Sequence, residues 1–338
     1  MATDAPLPDR KFLHFNPHEL NFEFCLESLR QQLSDLIHLI ITVMYYCVIG
    51  SIKAILPVGF LPRKEVKNEV VLITGSGSGL GRLMAVEFAK LGSKLVLWDI
   101  NEKGNLETKD MVLKYTSDVY AYKVDLSNYK EIATVANRVK ADVGPVDIVV
   151  NNAGMVIGKK LLECPDELME KTMAVNTNAN FYTTKAFLGH MLEQNHGHIV
   201  VIASMAGKLG VSNLVDYCAS KHGAVGFSEA LLGEIASVGK HGVHVTTVNP
   251  YYIDTGMFAG AKTFAPRLLP ILKPEYVVER IMEAVLTNTV ELYLPRFSYF
   301  CVFFASFLPI QATAALADYF KFNQTMDQFT GRLPQKSG

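Results

Sequence analysis

A chain of 338 residues has room for one large domain or two small ones, and at 49% hydrophobic and 19% charged residues it can bury a sizeable core. A formal net charge of −1 gives no global attraction to nucleic acid, so no nucleic-acid partner is expected. Five cysteines (Cys25, Cys47, Cys164, Cys218, Cys301) are odd in number, scattered and without a C-x-x-C pair, which argues against a disulfide framework or zinc site and fits a reducing compartment. His196 and His198 flank Gly197, but no cysteine or second histidine pair lies nearby in sequence, and no metal is expected.

In chain order, residues 1–35 are polar and mildly acidic, carry Pro6, Pro8 and Pro17, and read as a surface-lying or poorly ordered arm. Residues 36–52 then run for 17 positions without a formal charge; after Lys53 a second apolar piece, 54–61, is punctuated by Pro57 and Pro62. The stretch starts too late for a cleaved signal peptide and lacks a basic leader. It sits at the lower length limit, about 17 residues, for a helix that crosses a bilayer. Residues 36–62 are therefore expected to attach the chain to a membrane as a span, as a hairpin dipping into one leaflet around Pro57, or as an interfacial helix. A buried helix of the soluble domain fits less well, because the enzyme-like pattern begins only at Glu69. Arg63, Lys64 and Lys67 follow directly and, if the segment spans, place the rest of the chain on the cytosolic side.

Residues 69–74 are a short β-branched run that predicts a buried parallel strand. It enters Gly75-Ser76-Gly77-Ser78-Gly79-Leu80-Gly81, with a helical pattern over 82–91. Glycines in a strand-to-helix turn let the backbone approach a pyrophosphate at a helix N-terminus, so Gly75, Ser78, Gly79, Leu80 and Gly81 are candidate cofactor contacts. A second strand over 94–98 ends at Asp99, 24 residues past Gly75. An acid there can bind both hydroxyls of an adenosine ribose and repels a 2′-phosphate, which favours NAD over NADP. Strands over 119–124, ending at Asp125 beside the adenine edge, and 146–150, running into Asn151-Asn152-Ala153-Gly154, continue the rhythm of a doubly wound parallel sheet.

Further along, Tyr217-Cys218-Ala219-Ser220-Lys221 lies in a helix expected to begin near Ser212. Four residues separate the phenol from the ammonium, so both leave one helix face a turn apart. A tyrosine of pKa about 10 is a poor base at neutral pH, and a nearby lysine charge draws it toward the working range. Ser220 faces elsewhere and reads as packing.

Thr74-Gly75-x-x-x-Gly79-x-Gly81, Asn151-Asn152-Ala153-Gly154 and Tyr217-x-x-x-Lys221, in this order, resemble the short-chain dehydrogenase/reductase family over residues 69–295. The resemblance implies a Rossmann-type α/β fold, a single catalytic domain behind the N-terminal hydrophobic membrane segment, with residues 296–338 as a C-terminal extension. It implies that Asn151 and Gly154 shape the cofactor floor and brace the sheet, with Asn152 and Ala153 beside them at the cofactor. A long helix over 166–191 would be interrupted at Asn176, which would hold a water. Ser204, 13 residues before Tyr217 at the end of a strand over 198–202, matches the family's serine. Asn176, Ser204, Tyr217 and Lys221 are then the catalytic set. In alcohol oxidation Tyr217 takes the proton, Ser204 holds the substrate oxygen, Lys221 lowers the tyrosine pKa and binds the nicotinamide ribose, and Asn176 leads protons to solvent. A strand over 243–248 runs to Asn249-Pro250-Tyr251, with Pro250 and Thr255 at the nicotinamide. Tyr251 stands where the family usually has glycine, so the pocket wall departs from the common pattern.

Residues 256–272 read as a mobile substrate loop with Met257, Phe258 and Phe264 as apolar lining, 275–286 as a helix and 290–294 as the last strand. Beyond Pro295 the aromatic run 297–308 is more than a core needs; it suggests a membrane-facing substrate entrance, and Pro309 argues against one continuous span. Runs such as Leu97-Trp98-Asp99-Ile100-Asn101 and Asp254-Thr255-Gly256-Met257-Phe258 resemble the membrane-bound retinol dehydrogenase branch, with lipid-droplet 17β-hydroxysteroid dehydrogenases next. That likeness implies all-trans-retinol oxidation with NAD at the endoplasmic reticulum or lipid droplet, and a homodimer. The residues alone support a lipophilic alcohol, a retinoid or steroid, delivered from a membrane. Rival expectations are steroid oxidation, NADPH-driven carbonyl reduction, and a lipid-droplet scaffold with a vestigial site.

Overall fold

A computed structural model of the chain describes residues 22–56 and 59–331. It divides into two units, Met1–Pro57 and Val58–Gly338. In the first, one helix, α1 (Phe22–Ile55), contains a 26-residue apolar stretch, Glu27–Ile52, long enough to cross a membrane and with none of it buried. Helix begins earlier than the apolar run suggests, so residues 22–35 of the expected arm are helical. The rest of that arm, 1–21, and the suggested hairpin apex at Pro57 lie outside the described residues.

The second unit is built on seven parallel strands: β1 (Val70–Thr74), β2 (Lys94–Asp99), β3 (Val119–Lys123), β4 (Ile148–Asn151), β5 (Gly197–Ile202), β6 (Val243–Pro250) and β7 (Glu291–Leu294). Their order is β3-β2-β1-β4-β5-β6-β7. Both faces are covered, which explains the unbroken apolar runs where an open sheet would alternate. Side chains on β1 still alternate in direction. Val71 and Ile73 join Leu95 and Leu97 in a core with Met84 and Phe88 of α2 (Gly79–Lys90), Val112 of α3 (Glu102–Val112), and Ile281 and Val285 further along the chain. Leu72, Val96 and Trp98 face the other way, onto Ile132 and Val139 of α4 (Tyr129–Asp142) and onto Phe187, Ala224 and Leu231.

The helix expected over 166–191 is broken as α5 (Asp166–Met173), a π-helical turn Ala174–Asn178, and α6 (Ala179–Gln194). Such turns mark places where the regular ladder yields to a side-chain demand. Then come α7 (Val215–Ser237), which carries the Tyr–Lys pair, and α8 (Pro274–Leu286). Past β7 the aromatic run forms α9 (Phe297–Phe307), stopped before Pro309, and α10 (Ile310–Tyr319) follows. Phe300, Phe303, Phe304 and Phe307 of α9 are exposed.

The two histidines of the His-Gly-His run sit on β5's N-terminal edge, far from ligand chemistry. His196 Nε2 pairs with Glu69 at 3.0 Å, while buried His198 lies between Lys64 Nζ (3.0 Å) and Thr246 Oγ1 (2.8 Å). Thr246 Oγ1 donates to Thr289 O, so it accepts from His198 Nε2. Among the described residues no cluster of three metal-ligating side chains occurs.

Candidate active site

β1 and β4 are adjacent but their connections leave toward opposite sheet edges, which opens a crevice beyond their carboxyl ends. The glycine loop lies across it. Gly75 adopts φ +66°, and a Cβ there would stand 2.9 Å from Ala153 Cα, so the turn requires glycine on both counts. A Cβ at Gly81 would meet Asn152 Nδ2 at 2.7 Å; Gly81 therefore packs α2 under the loop and does not line the crevice. Thr74 Oγ1 accepts from the N–H groups of Asn152 (2.9 Å) and Ala153 (3.1 Å). Asn152 Nδ2 donates back to Thr74 O (2.8 Å) and Gly75 O (3.2 Å), which ties the two strand tips together. Asn151 instead faces α6, accepting from Thr183 and donating to Thr184.

The resulting cleft, about 330 Å³, brings together Gly75, Ser78, Gly79 and Leu80 with Asp99 and Asp125. Its far side is made by Asn152, Ala153 and Gly154, then Ser204, Tyr217, Lys221, Pro250 and Thr255. No side chain caps α2, whose first residues Gly79 and Leu80 line this cleft. Asp99 Oδ2 accepts from Gly77 N and Oδ1 from Asn101 N, both at 2.8 Å, so the carboxylate is held at the lip of the loop. Burial works to raise the Asp125 carboxyl, but hydrogen bonds from the Ser127 hydroxyl and N–H outweigh it and hold the group below its usual range.

Several residues that shape this cleft escaped the motif reading. Asn105 of α3, 2% exposed, accepts from Ser76 Oγ (2.7 Å) and donates to Leu97 O and Tyr122 O. Arg82 Nη2 holds Gly77 O (2.6 Å) and Gly104 O (3.0 Å). Gly77, outside the motif glycines, leaves room for Asp99, whose Oδ2 would be 2.9 Å from a Cβ there. Lys171 of α5 adds a cation to the lining. Each depends on a partner distant in sequence, and no local pattern advertises it.

On the catalytic side, Tyr217 and Lys221 leave α7 one turn apart and are 5% and 4% exposed. Lys221 Nζ lies 5.7 Å from the phenol ring centroid and donates to Ile202 O at 2.8 Å. Burial lowers the Lys221 pKa to about 8. Burial also pushes the Tyr217 phenol well above its usual value, and a hydrogen bond with Ser204 pulls the other way. The influences on that phenol are burial, the Ser204 hydrogen bond and the Cys218 thiol; the lowering expected of Lys221 is not among them. Ser204 Oγ, at the tip of β5, accepts from Ala206 N (3.1 Å).

Asn176 explains the π-turn. Its Oδ1 accepts from Met155 N (2.8 Å), and its Nδ2 donates to Met155 O (2.9 Å) and Ser220 Oγ (3.0 Å). Ser220 Oγ in turn donates to Tyr217 O (2.8 Å). Ser220, expected to be packing, is therefore the polar link between Asn176 and the helix that bears Tyr217. Asn176 does not line the cleft itself, yet a Cβ on Gly154 would stand 3.4 Å from its Oδ1 and 3.6 Å from Lys221 Nζ.

Beyond Ser204 and Tyr217 lies a second cavity of about 60 Å³, walled by Val211, Leu214, Tyr252, Phe258, Leu269 and Cys301. Tyr251, at the position where the common pattern has glycine, borders both spaces. Met257 and Phe258 line the nucleotide-side cleft as expected of the substrate loop. Phe264 does not: it is 44% exposed, with Lys321 Nζ 5.5 Å from its ring.

A model of the short chain dehydrogenases matches residues 69–265. The chain belongs to the short-chain dehydrogenase family. It is 51% identical over 269 residues to epidermal retinol dehydrogenase 2 of Homo sapiens, covering 79% of this chain and 87% of that one. Identity to retinol dehydrogenase 10 of Rattus norvegicus is 43% over 300 residues, covering 80% and 88%. Among solved structures, a short-chain dehydrogenase/reductase from Burkholderia phymatum in complex with NAD aligns with TM-score 0.64 at 26% identity, over 75% of this chain and 96% of that one. Membership makes this short-chain dehydrogenase a nicotinamide-dependent oxidoreductase acting on a CH–OH group.

Proposed function

We propose that the protein oxidises a lipophilic alcohol of the retinol kind with NAD, at a membrane. The observation that carries this reading is the position of Ser204 and Tyr217, shared between a polar nucleotide cleft and an apolar cavity. A hydroxyl entering from the apolar side meets a hydrogen-bonding serine and a buried phenol together. The names of its relatives, retinol dehydrogenases at 43–51% identity, support the choice of alcohol.

The cleft suits a dinucleotide. A Cβ at Gly75 or Gly81 would intrude on backbone contacts that the loop needs, and the Asp99 carboxylate at its lip suits two ribose hydroxyls better than a phosphate. Gly75, Gly79 and Leu80 would hold the pyrophosphate, Asp99 the adenosine ribose, Asp125 the adenine edge, and Lys221 with Thr255 the nicotinamide end. When bound, NAD supplies the hydride acceptor. The chain does the rest: Ser204 Oγ fixes the alcohol oxygen, Tyr217 Oη takes its proton, and Asn176 with Ser220 holds α7 in register. A dimer paired through α6 and α7 is part of this reading; Phe181 and Tyr182 on α6 present exposed rings for it. So is anchoring by α1 in an endoplasmic reticulum or lipid-droplet membrane, with Arg63, Lys64 and Lys67 favouring a cytosolic catalytic domain.

Burial raises the Tyr217 phenol, and in this reading the Lys221 ammonium, 5.7 Å from its ring, is the cation that would offset it. With a pKa of about 8, Lys221 is charged at neutral pH, so the proposed effect on the phenol would be present there and fade above it. In Lys221→Met the phenol loses a stabilising charge, so the ascending limb of the oxidation pH profile should move to higher pH by about 1–3 units. An unmoved limb would show that the lysine charge does not act on the tyrosine.

The direct test is NADH formation by the membrane-embedded protein with all-trans-retinol, a 17β-hydroxysteroid and a long-chain alcohol, with NAD and NADP supplied separately. Retinol turnover with NAD is expected. Activity on the steroid alone would reassign the substrate, and silence on all three would return the chain to a scaffold role.

A further inference from the structure

Ser204, Tyr217, Pro250, Tyr251 and Phe258 line both the nucleotide cleft and the apolar cavity, so together they frame the passage between the two spaces. From whichever side an alcohol enters, its carbinol carbon comes to rest in this frame, because Ser204 and Tyr217 are part of it. Those two are assigned to the alcohol oxygen. The width of the passage is left to the others, and Tyr251 and Phe258 are the large side chains among them.

Tyr251 is the firm side of the frame. Its N–H donates to Leu294 O at 2.8 Å, which carries the β6–β7 ladder one residue past the Pro250–Leu294 pair. Its ring stands edge to face with Tyr252, 4.7 Å between centroids. Tyr252 in turn meets Phe258 at 5.2 Å, and its hydroxyl lies 3.0 Å from that of Thr325. Phe258 sits instead in a run of turns. The Tyr251 hydroxyl is shielded from water. Thr263 is near enough to bear on its ionisation but sends its own proton to Leu269 O (2.7 Å), and no well-formed hydrogen bond ties the phenol. Backbone and ring packing therefore hold this side chain. Burial pushes the phenol up to about 12, so it brings no charge to the passage at neutral pH. Glycine, the residue of the common pattern, would leave this side open.

A carbinol carbon held here has its directions allotted. Its oxygen turns to Ser204 and Tyr217, its hydride to the nicotinamide end of the cleft, and one hydrocarbon substituent runs into the apolar cavity. In the direction that remains, a primary alcohol has only hydrogen, whereas a secondary alcohol has a second carbon. We propose that Tyr251 is a specificity-determining residue that restricts the reaction to primary alcohols, its ring occupying the side of the passage where that second carbon would lie. This deepens the proposed function and rests on its placing of the alcohol oxygen at Ser204 and Tyr217. The bulk of the ring makes the selection, and the hydroxyl takes no part.

The test compares kcat/KM with NAD for all-trans-retinol and for the secondary alcohol made by placing one methyl on its carbinol carbon, using the full chain in lipid vesicles. One methylene more or less in an apolar pocket changes discrimination by about 10–200-fold. The wild-type protein should therefore favour retinol at least about tenfold, and in Tyr251→Gly that preference should shrink at least about tenfold. Tyr251→Phe, which keeps the ring, should keep the wild-type ratio. Tyr251→Ala makes the same comparison if glycine at the strand tip unfolds the chain, and parity of the two alcohols in the wild type overturns the proposal without any variant. So does a preference unmoved in a folded glycine or alanine variant, or one relaxed as far by phenylalanine as by glycine. In each of those outcomes the wild type still oxidises retinol and the dehydrogenase reading stands. Wild-type silence toward both alcohols overturns both.

Discussion

Replacing Tyr217 with phenylalanine is expected to cut turnover by about 10²–10⁴-fold, the range for losing a positioned acid–base group, with NAD affinity kept within a few-fold. The ring packs with Leu214, Cys218, Tyr252 and Met326 and is 5% exposed, so phenylalanine preserves the shape of that cluster. What disappears is the phenol oxygen, the proposed proton acceptor, at a side chain that borders both the nucleotide cleft and the apolar cavity. Lys221 keeps its hydrogen bond to Ile202 O, and α7 keeps its link to Asn176 through Ser220, because neither uses the phenol oxygen. Single-turnover NADH formation and a separate cofactor titration would measure the two quantities. Turnover within tenfold of wild type would mean that the proton leaves by another group; equal loss of turnover and cofactor affinity would mean that the hydroxyl organises the cleft instead of accepting the proton.

The second large effect is expected at Asp99. Asp99→Ser removes the charge that disfavours a 2′-phosphate and shortens the acceptor meant for the ribose hydroxyls. Hydrogen bonds to a charged group contribute about 1.5–3 kcal/mol, so kcat/KM with NAD should fall by about 10- to 100-fold, with NADP gaining. Part of the loss has a second source, since Asp99 also accepts from Gly77 N and Asn101 N. Gly77→Ala separates the two: its Cβ would press on Asp99 Oδ2, disturbing the carboxylate while leaving its charge in place. It should weaken NAD without admitting NADP. A NAD-to-NADP ratio unchanged in Asp99→Ser would remove this carboxylate from cofactor choice.

The parts of the protein that its sequence determines by itself are those whose causes are local. The strands announce themselves because a sheet covered on both faces needs continuous β-branched runs, as at Val70–Thr74 and Lys94–Asp99. The glycine loop and the Tyr217–Lys221 spacing are equally local, since a turn with positive φ and a one-turn helical offset each lie within a few residues. The apolar helix was visible too, although it starts at Phe22, well before its charge-free core.

Side-chain polarity misled at Ser220, where a small residue among alanine and lysine looked like packing. Its partners are Asn176, 44 residues away, and its own helix backbone three residues back. Asn105 and Arg82 were silent for the same reason: they satisfy carbonyls of the loop and of neighbouring strands, and those carbonyls converge only when the sheet is assembled.

Amino-acid pattern alone determined the doubly wound sheet, the glycine loop between β1 and α2, the one-turn offset of Tyr217 and Lys221, and the apolar run of the N-terminal helix. Each follows from backbone sterics or side-chain periodicity within one element. Tertiary structure decided that Asn176 turns inward to Met155 and Ser220 by way of a π-turn, that Gly77 makes room for Asp99, and that Thr325 returns to line the cavity beside Tyr217. These depend on loop closures over tens to more than a hundred residues, whose geometry emerges only once the parallel sheet has fixed where each strand ends.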